Sequence, residues 1–403
     1  MNLVSDPQSI TAGSALSPEA NQAAALAAST GVLTIDLDAI VSNWRRLEKS
    51  GVPAECAGVV KADAYGCGID PVTRALAAAG CKTFFVATLD EARAARAATK
   101  SASIYVLDGF FQNCGDAFAE IGCKPVIGDL NELAEWDVFC RHTGWAGGAA
   151  IHIDTGLNRL GLTIIEAQSL VPRIVAGDHG ITLVMSHLAC AESLHHPLNA
   201  KQVAAFRAIA SQFSGVPASL ANSSGIFLGS QFMFELVRPG AALYGVNPTP
   251  EADNPMQGVV DLKARIVQIR TVERGDTVGY GATWTARRPT RLAIVAAGYA
   301  DGYFRAAGSN DGTRGAEAVV AGKRCPVAGR ISMDLLAIDV TDLPNSAVRR
   351  GHMVTLIGDG VSVDELAHHF GTTGYEVLTS LGRRYARVHK GGADAGEPVA
   401  ASP

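Results

Sequence analysis

The chain has 403 residues, of which 48% are hydrophobic and 18% are charged. This composition is typical of a globular protein with a large core and room for two domains, and it excludes a disordered chain. The formal net charge is -5, and the basic residues are scattered. A nucleic-acid partner is therefore not expected, because such proteins present a dense cationic footprint.

The cysteines and the N-terminal residues bear on the cellular compartment. The 8 cysteines include no CxxC pair, and no histidine cluster has zinc-like spacing, so no metal is expected. Their scatter is typical of reduced thiols. The first 44 residues contain no Lys or Arg, whereas a secretory signal starts with positive charge. No apolar run is long enough to span a bilayer, so we expect a cytoplasmic protein without membrane contact.

The first half of the chain reads as alternating strands and helices. Residues 1–31 are rich in Ala, Ser and Gln and are expected to form a flexible extension. From 32 to 245, apolar runs alternate with stretches of helical periodicity, such as Asp90–Thr99 and Ala200–Phe213. The predicted strands are Ala57–Lys61, Thr83–Ala87, Ile104–Asp108, Pro125–Gly128, Ala149–Asp154, Ile181–His187, Ala218–Asn222 and Glu235–Arg238. Eight strands separated by helices favour a (β/α)8 TIM barrel over an open doubly wound sheet.

The ends of these strands support the barrel prediction. Most end in a polar residue, namely Lys61, Asp108, Asp154, His187, Asn222 and Arg238. In a barrel such ends converge on one rim, where active sites form, whereas an open sheet would spread them along a line.

The residue composition and the hydrophobic periodicity change after residue 245. Runs rich in β-branched residues, such as Ala264–Val272, Arg291–Ala297 and Met353–Ile357, are separated by Gly, Asp and Pro turns. Helical periodicity returns only at Val363–His369. Residues 246–390 are therefore predicted to form a mainly β C-terminal domain, and 391–403 a flexible tail.

Lys61 is the first candidate for chemistry. A lysine directly after a buried strand leaves its amine at the rim in a partly desolvated place, and desolvation frees the amine as a nucleophile towards an aldehyde. Taken alone, such a lysine more often reaches solvent with no chemical role. The loops after the last two strands, 222–225 and 238–241, contain hydroxyls and glycine and suit a phosphate. Together these features outline a cradle for a phosphorylated aldehyde such as pyridoxal phosphate.

Six motifs in order identify the chain as similar to the alanine racemase family over roughly residues 32–390. They are Val60-Lys61-Ala62-Asp63-Ala64-Tyr65-Gly66, Asp154-Thr155-Gly156-Leu157-Asn158-Arg159-Leu160-Gly161, Val237-Arg238-Pro239-Gly240, Gly279-Tyr280-Gly281-Ala282-Thr283, Gly298-Tyr299-Ala300-Asp301-Gly302 and Arg330-Ile331-Ser332-Met333-Asp334. The resemblance implies pyridoxal 5'-phosphate as cofactor and the interconversion of L- and D-alanine. It does not distinguish D-alanine supply for the cell wall from alanine breakdown.

The resemblance also implies roles by position. Lys61 resembles the residue that carries the cofactor and serves as one of two bases, and Tyr280 resembles the second base, on the opposite face of the substrate. Arg238 resembles the partner of the pyridine nitrogen, with His187 beside it in a hydrogen-bonded relay. The residues that resemble phosphate ligands are Tyr65, Ser223, Gly240, Ala241 and Tyr375. Those that resemble contacts to the substrate carboxylate are Arg159 and Met333.

These residue types suit racemisation. Lysine and tyrosine both start with a pKa of about 10, so each must be tuned to act as a base at neutral pH. We expect desolvation to tune Lys61, and positive charge from the His187–Arg238 pair to tune Tyr280. Arginine keeps its proton and donates to the ring nitrogen without protonating it, which makes the cofactor a weaker electron sink and suppresses side reactions.

Two features of the resemblance bear on assembly and on the substrate site. The family places the second base across a head-to-tail homodimer, so Tyr280 and Met333 are expected to complete a partner's site, although folding over within one chain is an alternative. Many family members have a carbamylated lysine where this chain has His152. Histidine cannot supply that anion, so His152 is read first as a packed strand residue, and Arg159 must be oriented by something else, such as a bound anion or Asn158.

Other functions stay open on sequence alone. A racemase of serine or of a broader range of amino acids is one alternative, because the sequence does not determine the width of the substrate pocket. A decarboxylase of the same architecture would want an acidic group where Arg238 stands. A non-catalytic pyridoxal-phosphate carrier would lack the second domain that contains Tyr280.

Overall fold

The computed structural model describes residues 26–177 and 180–392, so most of the predicted extension (1–31) and tail (391–403) lies outside the described residues. The helices are α1 Leu37–Gly51, α2 Ile69–Ala78, α3 Leu89–Ala98, α4 Gly115–Ile121, α5 Leu130–Thr143, α6 Ile164–Ser169, α7 Val171–Val175, α8 Pro197–Ala210, α9 Val363–Phe370 and α10 Gly374–Ser380. The strands up to residue 245 are β1 Gly31–Asp36, β2 Glu55–Cys56, β3 Gly58–Val59, β4 Thr83–Val86, β5 Ser103–Val106, β6 Lys124–Ile127, β7 Ala149–His152, β8 Ile181–Met185, β9 Ala218–Ser219 and β10 Leu236–Val237. The later strands are β11 Val260–Val272, β12 Thr277–Val278, β13 Trp284–Thr285, β14 Thr290–Val295, β15 Glu317–Val320, β16 Lys323–Pro326, β17 Leu336–Asp339, β18 Met353–Ile357 and β19 Ala386–Lys390.

The strands from β2 to β10 form a closed ring of parallel strands. β3 to β9 pair in chain order, each with the next. β10 pairs in parallel with β2, so that Leu236 lies opposite Glu55 and Val237 opposite Cys56. β2 and β3 follow each other with one residue between them, and only β3 falls within the predicted strand Ala57–Lys61. The amide of Arg238 donates to the Ala221 carbonyl at 2.9 Å, beside β9. The predicted (β/α)8 barrel is therefore confirmed.

The barrel interior is a packed apolar layer. Alternate residues of a barrel strand point inward, and large or branched side chains fill the space between them. The buried residues of this inner cluster are Ala57, Val59, Phe85, Tyr105, Val126, Ala150, Leu183, Met185 and Leu236. The rings of Phe85 and Tyr105 stack with their centroids 5.1 Å apart. The interior is thus filled, and any ligand must bind at the rim.

The first strand lies outside the barrel. β1 pairs antiparallel with β11 and parallel with β19, in the eight-stranded sheet of the second domain. The sequence prediction began the barrel at residue 32, whereas residues 31–36 belong to this sheet. The physical reason is visible in the burial pattern, because Gly31, Leu33 and Ile35 are buried while the residues between them are half-buried. Such alternation is typical of a strand with one buried face, whereas barrel strands are buried on both.

The second sheet is organised around β11, the longest strand. Its first half pairs with β1 and β18, and its second half pairs with β14. β15 joins β18 and β16, and β17 joins β14. The predicted mainly β C-terminal domain is confirmed, with α9 and α10 following β18.

Helix α1 connects this sheet to the barrel. The side-chain amide nitrogen of Asn43 donates to the carbonyls of Leu243 and Gln257, at 3.2 and 3.0 Å. The indole nitrogen of Trp44 donates to the Cys56 carbonyl in β2 at 3.2 Å. Both side chains are buried, so bonds shielded from water fix α1, which follows β1 of the second sheet, to the barrel and to the start of the C-terminal domain at Gln257.

The cysteines are free thiols, and five of them are buried. Among the described residues, none of the helices combines the length and apolar character needed to cross a membrane.

Candidate active site

Lys61 follows β3 with Val60 between them and precedes a turn of left-handed backbone, and we call residues Lys61–Gly66 the lysine turn. Four consecutive residues of this turn have φ between 52° and 56°, namely Ala62, Asp63, Ala64 and Tyr65. Left-handed backbone costs an L-residue about 1–2 kcal/mol, so surrounding contacts must hold it. Within the turn, the amides of Ala64 and Gly66 donate to the carbonyls of Val60 and Ala62, each at 2.9 Å.

The Lys61 amine lies in a partly desolvated position at the rim. Burial lowers the pKa of Lys61, and the positive charge of Arg159 lowers it further. The carboxylates of Glu91 and Asp108 act in the opposite direction. A lowered pKa raises the fraction of free amine at neutral pH, which is the form that attacks an aldehyde or accepts a proton.

Arg238 is buried at the rim and is held from three sides. It donates to the Ser219 hydroxyl and, at 2.6 Å, to the Ser186 carbonyl. Its guanidinium carbon lies 5.8 Å from the centroid of the Phe85 ring, at cation–π distance. Burial lowers the pKa of Arg238 to about 9, so the side chain keeps its charge at neutral pH.

His187 lies beside this arginine and is uncharged at neutral pH. Burial and the charge of Arg238 together lower its pKa to about 3. The positive charge of the predicted His187–Arg238 pair therefore resides on Arg238. The backbone of His187 is held by Gln202, whose side-chain nitrogen donates to the His187 carbonyl at 2.9 Å.

The loops after β9 and β10 meet at Ser223. The buried Ser223 hydroxyl accepts from the amides of Gly240 and Ala242, at 3.0 and 3.2 Å. A Cβ at Gly240 would lie 2.3 Å from the Tyr65 hydroxyl, so glycine at this position leaves room for that group. Partly buried Ala241 follows Gly240 and opens a short 3-10 turn. The loops therefore enclose a small polar cradle next to the lysine turn.

Tyr65 is fixed against this cradle. Its ring stacks on Tyr244 with centroids 4.6 Å apart, and the Tyr244 hydroxyl donates to the Val59 carbonyl at 2.9 Å. Burial raises the pKa of Tyr65, and neighbouring Tyr375 on α10 raises it further. A phenol that keeps its proton, serine and loop amides are donors that fit a phosphate group, and the nearby Lys61 amine fits an aldehyde.

Asp154 organises the loop that carries Arg159. One oxygen of its carboxylate accepts from the amides of Gly156 and Leu157, each at 2.9 Å, and the carboxylate also accepts from the Asn158 amide. Three amides on one carboxylate fix the loop backbone. Arg159 itself is exposed.

His152 is a buried residue of β7. Burial lowers its pKa to about 4, and the charges of Arg238 and Arg159 act in the same direction. At neutral pH His152 is therefore neutral and cannot supply a negative charge to Arg159.

Tyr280 and Met333 lie together with other motif residues on the second domain. Their side chains are 70% and 53% exposed. The Met333 carbonyl accepts from the Ala300 amide at 2.9 Å, and a Cβ at Gly281 would lie 2.8 Å from an Arg330 nitrogen. Within residues 26–177 and 180–392, no hydrogen bond, ion pair or ring contact joins Tyr280 to Lys61. Within one chain, Lys61 and Arg238 therefore lie at the barrel rim, whereas Tyr280 is exposed on the second domain.

Sequence reasoning missed three supporting residues, Ser219, Phe85 and Tyr244. Ser219 could have been found, because it is the single hydroxyl in the apolar run Ala218–Ala221. Phe85 and Tyr244 carry no such signal, since an aromatic residue in an apolar run is ordinarily part of the core.

Comparison with known proteins covers both domains. The family model "Alanine racemase, N-terminal domain" matches residues 35–248, and "Alanine racemase, C-terminal domain" matches residues 259–389. The alanine racemase of Methylobacterium nodulans is 53% identical over 355 residues, which are 88% of this chain and 95% of that protein.

Two solved structures extend this likeness to the fold. Alanine racemase from Bartonella henselae, solved with covalently bound pyridoxal phosphate, is 38% identical with a TM-score of 0.84, over 90% of this chain and 100% of that one. Biosynthetic alanine racemase from Pseudomonas aeruginosa is 33% identical with a TM-score of 0.81, over the same shares. The chain belongs to the alanine racemase family.

Proposed function

We propose that this enzyme is a pyridoxal-phosphate-dependent racemase that interconverts L- and D-alanine, with Lys61 and Tyr280 as its two bases. The observation that carries the proposal is the convergence of a desolvated Lys61 amine, a buried charged Arg238 and the Ser223–Gly240 cradle on one barrel rim. Bound pyridoxal phosphate supplies the electron withdrawal that makes the hydrogen on Cα of the substrate removable.

The residues of the rim would hold the cofactor at its two ends. Lys61 would bind its aldehyde, and Arg238, with His187 beside it, would bind its ring nitrogen. The groups that would bind its phosphate are Tyr65, Ser223, Gly240, Ala241 and Tyr375. Because Arg238 stays charged at neutral pH, it would donate to the ring nitrogen and leave that nitrogen without a proton.

Inversion at Cα needs one proton removed from one face and another delivered to the opposite face. Lys61 would serve one face, with a pKa already lowered by burial. Tyr280 would serve the other. Arg159 and the backbone at Met333 would bind the substrate carboxylate, and the Asp154-anchored loop would hold Arg159 in place.

Tyr280 is proposed to act across a head-to-tail homodimer. Its side chain is mostly exposed and has no direct interaction with Lys61 within the described part of the chain. A second copy that presents Tyr280 and Met333 to the Lys61 rim would bring both bases to one substrate, and an isologous dimer would complete both sites at once.

The free cysteines support a proposal on location. All 8 are unpaired although several are buried, which suits a reducing compartment. We therefore place the enzyme in the cytoplasm, and fractionation of cells with detection of the protein tests this.

Proton exchange tests the proposed reaction. Wild-type protein loaded with pyridoxal phosphate and incubated in heavy water with L- or D-alanine should give both enantiomers with deuterium on Cα. Lys61→Ala should lose both the yellow colour and the exchange, because the group that carries the cofactor is gone. The same assay over a panel with serine defines the substrate range. Release of carbon dioxide, or an unreacted panel, would reject racemisation.

A further inference from the structure

Glu91 contacts the lysine turn from the neighbouring strand–helix unit. One oxygen of its carboxylate accepts from the Ala62 amide at 2.6 Å. The other accepts from the Ala87 amide at 2.8 Å and, more weakly, from the Thr88 amide at 3.4 Å. Thr88 is the N-cap of α3, and its hydroxyl accepts from the Glu91 amide in return. One carboxylate therefore links the end of β4 to the lysine turn.

The amide that Glu91 holds is the one directly after Lys61. Because a peptide unit is planar, fixing the Ala62 N–H also fixes the Lys61 carbonyl and the backbone torsion at Lys61. Ala62 is also the first of the four left-handed residues, where L-residues are unfavourable without external support. The Glu91 carboxylate, as acceptor for the Ala62 amide, therefore stabilises the left-handed conformation at the first residue that adopts it.

We propose that Glu91 is a positioning residue for the racemase reaction, and that its carboxylate holds the Lys61–Ala62 peptide so that the Lys61 amine points at the substrate. This inference rests on the proposed function of Lys61. Glu91 touches neither substrate nor cofactor in this scheme and acts through the backbone of Lys61.

Charge adds to the positional effect. The ionisable groups that interact with Lys61 are Glu91 on α3, Asp108 after β5, Arg159 in the Asp154 loop and His187 after β8. Glu91 and Asp108 favour the protonated amine, whereas Arg159 disfavours it. Removing the Glu91 charge should thus make a proton on Lys61 less favourable.

The chain offers a matched control two strand–helix units along the barrel. Glu132 in α5 accepts from the amide of Gly128, at the end of β6, at 2.8 Å, and from the amide of Phe110 in the loop after β5. The geometry is that of Glu91, but the loop held by Glu132 carries no proposed site residue. Asp108, two residues before Phe110, interacts with Lys61 through its charge, and Glu132→Gln leaves that carboxylate in place. Glu132→Gln therefore removes a carboxylate with equivalent bonds, none of which is made to the lysine turn.

Hydrogen exchange on the cofactor-free protein tests the positional claim without reference to activity. In Glu91→Gln, the amides of Ala62–Gly66 should exchange roughly tenfold faster than in wild type, because a charge-assisted bond that selects the turn is lost. In Glu132→Gln those amides should keep the wild-type rate while Phe110 exchanges faster. Unchanged exchange over Ala62–Gly66 in Glu91→Gln would overturn the proposal.

Kinetics and absorbance of the loaded enzyme test the link to Lys61. For Glu91→Gln we expect kcat to fall roughly tenfold or more with little change in the KM of alanine, since substrate contacts are untouched. The pH at which the absorbance of the lysine-bound cofactor titrates should move down, and Glu132→Gln should leave it in place. Equal effects of the two variants would reduce Glu91 to a structural residue and reject the proposal.

A second variant separates position from charge. Glu91→Asp keeps the charge but is one methylene shorter, so it cannot bridge Ala62 and Ala87 together. In Glu91→Asp the absorbance of the lysine-bound cofactor should titrate near the wild-type pH, while kcat falls. A wild-type kcat in Glu91→Asp would reject the positional claim. Absence of racemisation in the wild-type protein would refute the proposed function, whereas the exchange result on the cofactor-free protein would still decide the role of Glu91.

Discussion

His152 is a buried histidine that the fold keeps neutral. Its pKa is lowered to about 4 from the ordinary 6.5 by burial and by the charges of Arg238 and Arg159. Because the folded value lies below the unfolded one, the unfolded chain binds more protons between these limits. Stability contributed by the neutral side chain is therefore complete above pH 6.5 and is lost as the pH falls towards 4.

Replacing His152 should flatten the acid side of the stability profile. Between pH 7 and pH 4, the free energy of unfolding of wild type should fall by on the order of 3 kcal/mol more than that of His152→Asn. Urea unfolding at a series of pH values measures this, with His195→Asn as a control at an exposed position. A wild-type slope in His152→Asn would show that His152 does not titrate as described.

The position of individual rim residues was predictable where the residue follows a barrel strand. Lys61 and Arg238 follow strands and end at one rim, and the strand pattern alone brings them together. The neutral state of His187 was not predictable, because it depends on burial beside Arg238, which only the folded structure provides. The roles assigned to Tyr280 and to the phosphate and carboxylate contacts stay predictions.

At the scale of elements, the Asp154 loop is a rigid support for an exposed arginine. Asp154→Ala should raise the KM of alanine about tenfold and change kcat less, because the loop amides lose their common acceptor and Arg159 loses its fixed position. Steady-state kinetics in both directions measure this. Asp129→Ala, which removes a similar Asp cap at the start of α5, is the control. Equal changes in the two variants would contradict the assignment.

Most elements were predictable because their hydrophobic periods are strong. In the second half of the chain, runs of β-branched residues predicted the strands, and the bounds predicted for Met353–Ile357 are those observed. The lysine turn was not predictable, since Ala62, Ala64 and Tyr65 disfavour left-handed backbone and a single Asp63 does not specify four such residues in a row. Contacts from other units, among them the Glu91 carboxylate, select that conformation.

At the scale of the whole molecule, the two proposed bases lie on separate domains. If a site combines Lys61 of one subunit with Tyr280 of the other, mixing Lys61→Ala and Tyr280→Phe proteins should restore activity. Random exchange makes half of the dimers mixed, each with one intact site, so about one quarter of wild-type activity is expected. Racemase assays after subunit exchange measure the recovered activity. A mixture of the Lys61→Ala/Tyr280→Phe double variant with Lys61→Ala is the control, because none of its dimers has an intact site. No recovery after demonstrated exchange would place both bases on the same chain.

The assignment of β1 to the second sheet was beyond the sequence prediction for a topological reason. Its alternating pattern identifies a strand with one buried face, but nothing local to residues 31–36 names partners that lie more than two hundred positions away.

The pairing of β1 also constrains how the protein forms on the ribosome. Leu33 lies opposite Leu262 and Arg387, so both neighbours of this strand are synthesised long after it. The barrel strands end at Val237, and the barrel can close while the nascent chain is still growing. β1 then has both edges unpaired until β11 emerges, and one edge unpaired until β19, nearly the last of the described residues, is synthesised. During that interval it is the segment through which a nascent chain is most exposed to pairing with the wrong strand.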